Sequence, residues 1–269
     1  MIAVVDYQKG NLKSVERGLI AAGGKAFITA DASEIAKADA IVLPGVGAFA
    51  DAAATMCELG QMEVIRERVR AGVPFLGICL GEHLMFEQGV EGAPEGSRAR
   101  GLGLLPGTVV AMPRYDGQGK AFKVPHVGWN TIEMPACNGG AAIPSCGEGG
   151  ENAVLSSGGV GGGAARSSAA KRGLFEHGAF PGSTPQPGGD LAFACPLFDG
   201  IAPGEYFYFT HSYIAPTGSH TIAETTHSVR FTSAVQFGER AFGVQFHPEK
   251  SSDAGARVLA NFVTIAARG

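Results

Sequence analysis

Hydrophobic positions in the first hundred residues fall into short unbroken runs, each followed by a stretch in which they recur at helical spacing. "IAVVD" leads into Leu12 to Ala22, "AIVLPG" into Ala50 to Ala71, and "VPFLGIC" into Leu80 to Glu87. Strands that are apolar on both faces belong in a parallel sheet with helices above and below. The order βαβαβα predicts an open, doubly wound α/β sheet of three layers, with function at the carboxyl ends of its strands.

From "GLLPGTVVAM" onward the pattern changes to hairpin-like strands. Thr108 to Met112, "KVPHVGWNTIEM", "EYFYFTHSYIA", "HTIAETT", "TSAVQFG" and "AFGVQFHP" are separated by glycine, proline or charged turns. They predict an antiparallel extension that makes the sheet mixed. Val258, Leu259, Phe262 and Ile265 return to helical spacing and predict a closing helix over Ser252 to Arg268. Residues 137–190, between two such strands, are dominated by glycine, serine, alanine and proline, which bury too little apolar surface to offset the entropy of ordering. The expectation is a single domain over residues 1–269 with a disordered surface insertion at about 137–190.

Composition narrows the possible functions. A net charge of -4 gives no basic field for nucleic acid or an anionic membrane. No uninterrupted apolar run approaches the roughly 20 residues that span a bilayer. Five cysteines at irregular spacing, behind an opening without a signal-peptide layout, point to reduced thiols in the cytoplasm. Cys137, Cys146 and His177 in the insertion lack a paired C-x-x-C spacing, so no metal site is expected there, and no cofactor elsewhere.

The candidate chemistry starts at Cys79, where an apolar strand meets a predicted helix. Gly77 and Gly81 flank it two residues either side, so G-I-C-L-G has the form of a nucleophile elbow with cysteine at its tip. A thiol nucleophile needs a base, and the base needs an orienting group. "GVQFHPEKS" supplies His247 and Glu249, two residues apart at a strand end with Pro248 holding the backbone extended between them. Acyl transfer also needs donors for an oxyanion: one is the Leu80 N–H, and the turn Gly45, Val46, Gly47 in "LPGVGAF" is the candidate for the second.

These residues resemble the class I glutamine amidotransferases, and more narrowly the glutaminase subunits of imidazole glycerol phosphate synthase. "VVDYQKGNLKSVERGL", "LPGVGAF", "GICLGEHLMFE", "KVPHVGWN", "YFYFTHSYI" and "GVQFHPEKS" carry the likeness, in the family's order. It implies a flavodoxin-like amidotransferase fold, with Cys79 attacking the amide of L-glutamine, His247 moving protons and Glu249 orienting it. It further implies substrate contacts at Glu91, His211, Ser212 and Tyr213, and a heterodimer with a (β/α)8 cyclase subunit. Asn11, Trp129 and Lys250 fall where that interface is expected, with plain core the equal alternative for the lone indole of Trp129. The turn at Gly45 to Gly47 is expected to rest closed until the partner is loaded, keeping hydrolysis slow in the isolated chain.

The chain departs from the family four residues after the cysteine, where His83 replaces the usual glutamine. His83 is expected to face the substrate and donate to its carboxylate, with altered affinity and retained chemistry. The alternatives are the glutaminase subunit of another amidotransferase, or an inactive regulatory subunit. D-Y-x-x-G-N and P-H-x-G-W-N argue against the first, and the intact triad against the second.

Overall fold

Alternating buried hydrophobics and tight glycine turns build a layered sheet at the head of the chain. The computed structural model describes residues 1–135 and 193–268; the insertion expected at 137–190 lies outside the described residues, as do Cys137, Cys146 and His177. Strand β1 (Ile2–Val5) leads to α1 (Leu12–Ala21), β2 (Ala26–Thr29), α2 (Ala32–Lys37) and β3 (Ala40–Gly45). Helices α3 (Phe49–Glu58) and α4 (Gln61–Arg70) precede β4 (Phe75–Cys79) and the short α5 (Leu80–His83). The second part adds β5 (Phe86–Gly89), β6 (Ala99–Arg100), β7 (Leu105–Ala111), β8 (His126–Thr131), β9 (Tyr206–His211) and β10 (Tyr213–Ile214). It closes with β11 (Thr221–Thr226), β12 (Arg230–Phe237), β13 (Ala241–Val244) and α6 (Ser252–Ala267).

The main sheet has the order β11-β12-β13-β4-β3-β1-β2. Strands β2, β1, β3, β4 and β13 are parallel, while β12 and β11 extend the sheet antiparallel. That parallel core follows the flavodoxin-like order. Its two faces carry separate cores. Ile2, Val4, Val42 and Ile78 pack with Val15 and Leu19 of α1 and Val258, Leu259 and Phe262 of α6. Val5, Ile41, Leu43 and Phe75 pack with Ile35, Met56, Ile65 and Val69 of α2, α3 and α4. Each of these larger side chains contributes about 1.5–3 kcal/mol by leaving water, which is why the sheet sits between two helical layers.

Four local expectations are corrected. The helical run from Ala50 to Ala71 is two helices, because Gly60 adopts φ +69 and ends α3 with its N–H donating to the Cys57 carbonyl. The run from Leu80 to Glu87 stays helical for one turn only; Phe86 is fully buried in a strand, and β5 pairs with β7. Tertiary pairing there overrides local spacing. The hairpin strands do not all extend the main sheet: β8 and β9 form a separate ribbon, and β10-β7-β5-β6 a second small sheet. The extended geometry expected between His247 and Glu249 is instead a 3-10 turn over Pro248–Lys250.

No helix among the described residues is long and apolar enough to cross a membrane.

Candidate active site

Strand register builds the site. Gly45 of β3 pairs with Cys79 of β4 on one side, and Val244 of β13 pairs with Ile78 on the other, so Gln245 lies beside Cys79 one step further on. Cys79 is buried and adopts φ +54, ψ -107, a left-handed conformation that costs a non-glycine residue about 1–3 kcal/mol. The flanking glycines are what permit it. A Cβ on Gly77 would lie 2.5 Å from the Gly81 carbonyl oxygen, and a Cβ on Gly81 would overlap the Leu43 carbonyl oxygen. Because α5 is a single turn, what it offers Cys79 is the N–H groups at a helix start in place of a long macrodipole.

His247 enters from the end of β13. Its Nδ1–H donates to Glu249 Oε1 at 2.9 Å, which leaves Nε2 buried and without a conventional hydrogen bond. The 3-10 turn is pinned by Ser251, whose Oγ donates to the His247 carbonyl at 2.6 Å and accepts the Tyr208 N–H at 3.0 Å. Burial pulls the imidazole toward its neutral form. Neighbouring Cys79 and Glu249 outweigh it and raise His247 to about 9. At neutral pH this imidazolium has the chemistry of a proton donor.

A cavity of about 420 Å³ opens over the cysteine, a size suited to one amino acid. Of the expected residues, Val46, Gly47, Cys79, Leu80, His83, Glu91, His211, Ser212 and Tyr213 line it, together with Pro125 and Thr210. Gly45 lies below the surface, where a Cβ would overlap the hydroxyl of buried Tyr7. Burial, and then Cys79, push the Tyr7 hydroxyl upward, so it stays protonated. Burial likewise raises the Glu91 carboxyl, opposed by the Phe49 N–H and reinforced by Asp51. A larger cavity of about 650 Å³ lies at the amino ends of the strands, lined by Lys25, Asp39, Arg68 and Arg240 among others, away from any of these groups.

His83 departs from its expected contact. Its ring borders the cavity, but Nε2–H donates to Gln245 Oε1 at 2.7 Å, so that nitrogen is not free to donate to a substrate carboxylate. Burial pulls His83 down to about 4 against the opposing effect of the Gln245 bond. Beyond it, Asn130 Nδ2–H donates to His126 Nε2 at 3.3 Å, His126 Nδ1–H to His211 Nε2 at 3.0 Å, and His211 Nδ1–H to the Tyr213 carbonyl at 2.8 Å. Each imidazole in this line is neutral: burial and then His227 hold His126 near about 4, and burial first holds His211 well below its usual range.

These neutral imidazoles make the fold acid-sensitive. A histidine with a folded pKa below its unfolded value costs nothing above about 6.5 and progressively more as pH falls, because only the unfolded chain takes up the proton. His83 and His126, both near about 4, should each remove up to about 1.4 kcal/mol per pH unit between about pH 6.5 and 4. Urea midpoints measured across this window are expected to fall steadily, with a shallower slope in His83→Gln.

On the outer face of the β8–β9 ribbon, Trp129 is 45% exposed, beside exposed Val127 and Tyr206. Trp129 meets Tyr208 edge-on at 6.1 Å, and Lys250 Nζ lies 5.8 Å from the Tyr208 ring. Trp129 is therefore surface and not core. Asn11 stands at the start of α1, its side chain making no capping bond. Sequence reasoning missed Gln245, Tyr7 and Thr210; their signal is strand register, which brings Gln245 beside Cys79.

Known proteins resemble the chain over most of its length. The model for CobB/CobQ-like glutamine amidotransferase domains matches residues 13–132, and that for class-I glutamine amidotransferases matches residues 165–266. The chain is 36% identical to the imidazole glycerol phosphate synthase subunit HisH of Moorella thermoacetica, over 97% of this chain and 93% of that protein. It is 35% identical to the same subunit of Rhodopirellula baltica, over 98% and 97% respectively. Among solved structures, one described as a glutamine amidotransferase aligns with TM-score 0.59 at 15% identity, covering 99% of this chain and 100% of that one, a likeness of fold.

Proposed function

The chain belongs to the HisH family of imidazole glycerol phosphate synthase subunits, glutamine amidotransferases of class I, and on that premise we propose how its residues divide the work. The observation that carries the reading is a cysteine held in left-handed geometry beside a carboxylate-oriented, protonated histidine. The Cys79 thiolate attacks the side-chain amide carbon of L-glutamine. The oxyanion that forms is met by the Leu80 N–H and, once the Gly45 to Gly47 turn is open, by a peptide N–H of that turn. His247 gives its proton to the departing nitrogen, ammonia leaves, and a thioester remains. His247 then takes a proton from water as it attacks the thioester, and glutamate is released with the thiolate restored. Glu91, Ser212 and Tyr213 hold the glutamine backbone groups.

Ammonia released into bulk water is protonated and lost to synthesis, so the product is handed to a partner. We propose a (β/α)8 cyclase subunit, which converts the phosphoribulosyl intermediate of histidine biosynthesis to imidazole glycerol phosphate and an aminoimidazole carboxamide ribotide. The exposed aromatic face of the ribbon, Trp129 and Tyr208 with Lys250 beside them, has the aromatic and cationic make-up of an interface centre, and Asn11 extends it. The free thiols of Cys57, Cys79 and Cys195 suit a cytoplasmic setting.

Steady-state glutamine hydrolysis, with and without the cyclase subunit and its nucleotide substrate, tests this reading. A slow isolated chain that accelerates in the loaded complex is expected, and full-rate hydrolysis by the chain alone would overturn the partner dependence. Trp129→Ala should weaken the complex by about 10- to 100-fold, as loss of a central aromatic anchor does, with calorimetric titration as the check.

A further inference from the structure

Three contacts join residues that the mechanism above leaves unused. His83 Nε2–H donates to Gln245 Oε1 at 2.7 Å, and Gln245 Nε2–H donates to Cys79 Sγ at 3.7 Å. Both His83 and Gln245 are buried, 3% and 0% exposed. Cys79 Sγ also lies 3.9 Å from the Thr210 carbonyl, which accepts from a thiol and repels a thiolate. The amide of Gln245 has two orientations, with opposite consequences for the sulfur. With N–H toward it, the amide favours the anion; with Oε1 toward it, the amide favours S–H. As the Nε2–H tautomer, His83 occupies Oε1 and so selects the first.

We infer that Gln245 is a positioning residue that stabilises the Cys79 thiolate, and that His83 acts through it by fixing the amide's orientation. This deepens the proposed reading of Cys79 as the nucleophile and rests on it. His83 is suited to the task because it is neutral. The titratable groups around Cys79 are Tyr7 from the loop after β1, His247 with Glu249 after β13, His83 with Glu82 beside it on α5, and Glu91, His211 and Tyr213 in the lining of the same cavity. Glu82 is fully buried, with neither carboxyl oxygen hydrogen-bonded and Oε2 3.8 Å from His83 Nε2. Burial pushes Glu82 well up and His83 down, each toward its neutral form. Burial thus disfavours any charge from the pair beside the sulfur. What reaches the sulfur is one oriented amide dipole.

The test is iodoacetamide labelling of Cys79 in the full chain across pH, followed at its peptide by mass spectrometry, alongside hydrolysis kinetics in the cyclase complex. In His83→Leu and Gln245→Met the labelling midpoint should rise by about one unit and kcat should fall about tenfold, with KM changing less than about threefold. His83→Gln keeps an N–H donor at similar reach and should stay close to the parent midpoint, within about a third of a unit. Should one apolar variant fail to fold, the other reads the same line from its opposite end. An unchanged midpoint in the folded apolar variants would overturn the inference, as would a rise in KM alone for His83→Leu, which would mark His83 as a substrate contact. If a diazoketone analogue of glutamine leaves Cys79 unlabelled in the parent complex, the reading of Cys79 as nucleophile fails, a result distinct from an unchanged midpoint.

Discussion

Cys79→Ala is expected to lower glutamine hydrolysis in the cyclase complex by about 10⁴- to 10⁶-fold, the loss seen when a nucleophile that works as a unit with its base is removed. No other described thiol stands ready to replace it. Cys57 is exposed, and Cys195 is buried, with burial pushing it up to about 11 against the Leu197 and Phe198 N–H groups. The substitution has a second consequence that a purely structural cysteine would not produce. Burial alone lowers His247, and Cys79 is one of the two groups that raise it. Without the sulfur, the His247 titration followed by NMR should move down from about 9 toward the ordinary histidine value near 6.5. Residual hydrolysis within about tenfold of the parent would contradict nucleophilic catalysis at this position, and an unmoved His247 titration would contradict its coupling to Cys79.

Gly81→Ala should be nearly as damaging by a different route. The added Cβ would overlap the Leu43 carbonyl oxygen, a backbone atom of the adjacent parallel strand that has no rotamer through which to escape. Either α5 lifts from the sheet or β3 shifts against β4; both disturb the Gly45–Cys79 register that sets the proposed oxyanion turn beside the cysteine. A backbone clash of this kind falls in the range above about 3 kcal/mol. In a domain of this size that corresponds to a fall in Tm of about 6–12 °C, with hydrolysis lost in step. Thermal unfolding measured beside activity decides it, and a variant with parent Tm and parent rate would mean the elbow is looser than the close approach indicates.

How legible this was in the sequence depended on distance along the chain. The elbow could be read because its glycines and its cysteine lie within five residues, and the His247–Glu249 pair because it spans only three. The pairing formed even though the backbone between them turns instead of extending, since a 3-10 turn also brings i and i+2 side chains within reach. Parallel strands were legible as apolar runs with helices between them. β2 was missed because it is four residues long, ends the sheet and is mostly half-buried, so it carries little of that apolar signal. The break at Gly60 was missed because helical spacing continues on both sides of it. His83 shows the limit most clearly. Its presence was legible, but its contact with Gln245 spans 162 positions and follows from the pairing of β4 with β13, which no local pattern encodes.

The left-handed cysteine and the two glycines flanking it also say where this chain is free to diverge. At 77 and 81 the obstruction to any side chain is backbone, so no neighbouring substitution can make room, and at 79 every residue except glycine meets a conformational penalty. Those positions drift together or not at all. At 83 the constraint is a side chain, which can be exchanged together with its partner. His83 falls two positions past the second elbow glycine and opposite a glutamine able to answer a change there. An engineer wishing to retune this nucleophile would vary 83 and 245 jointly and leave the elbow alone.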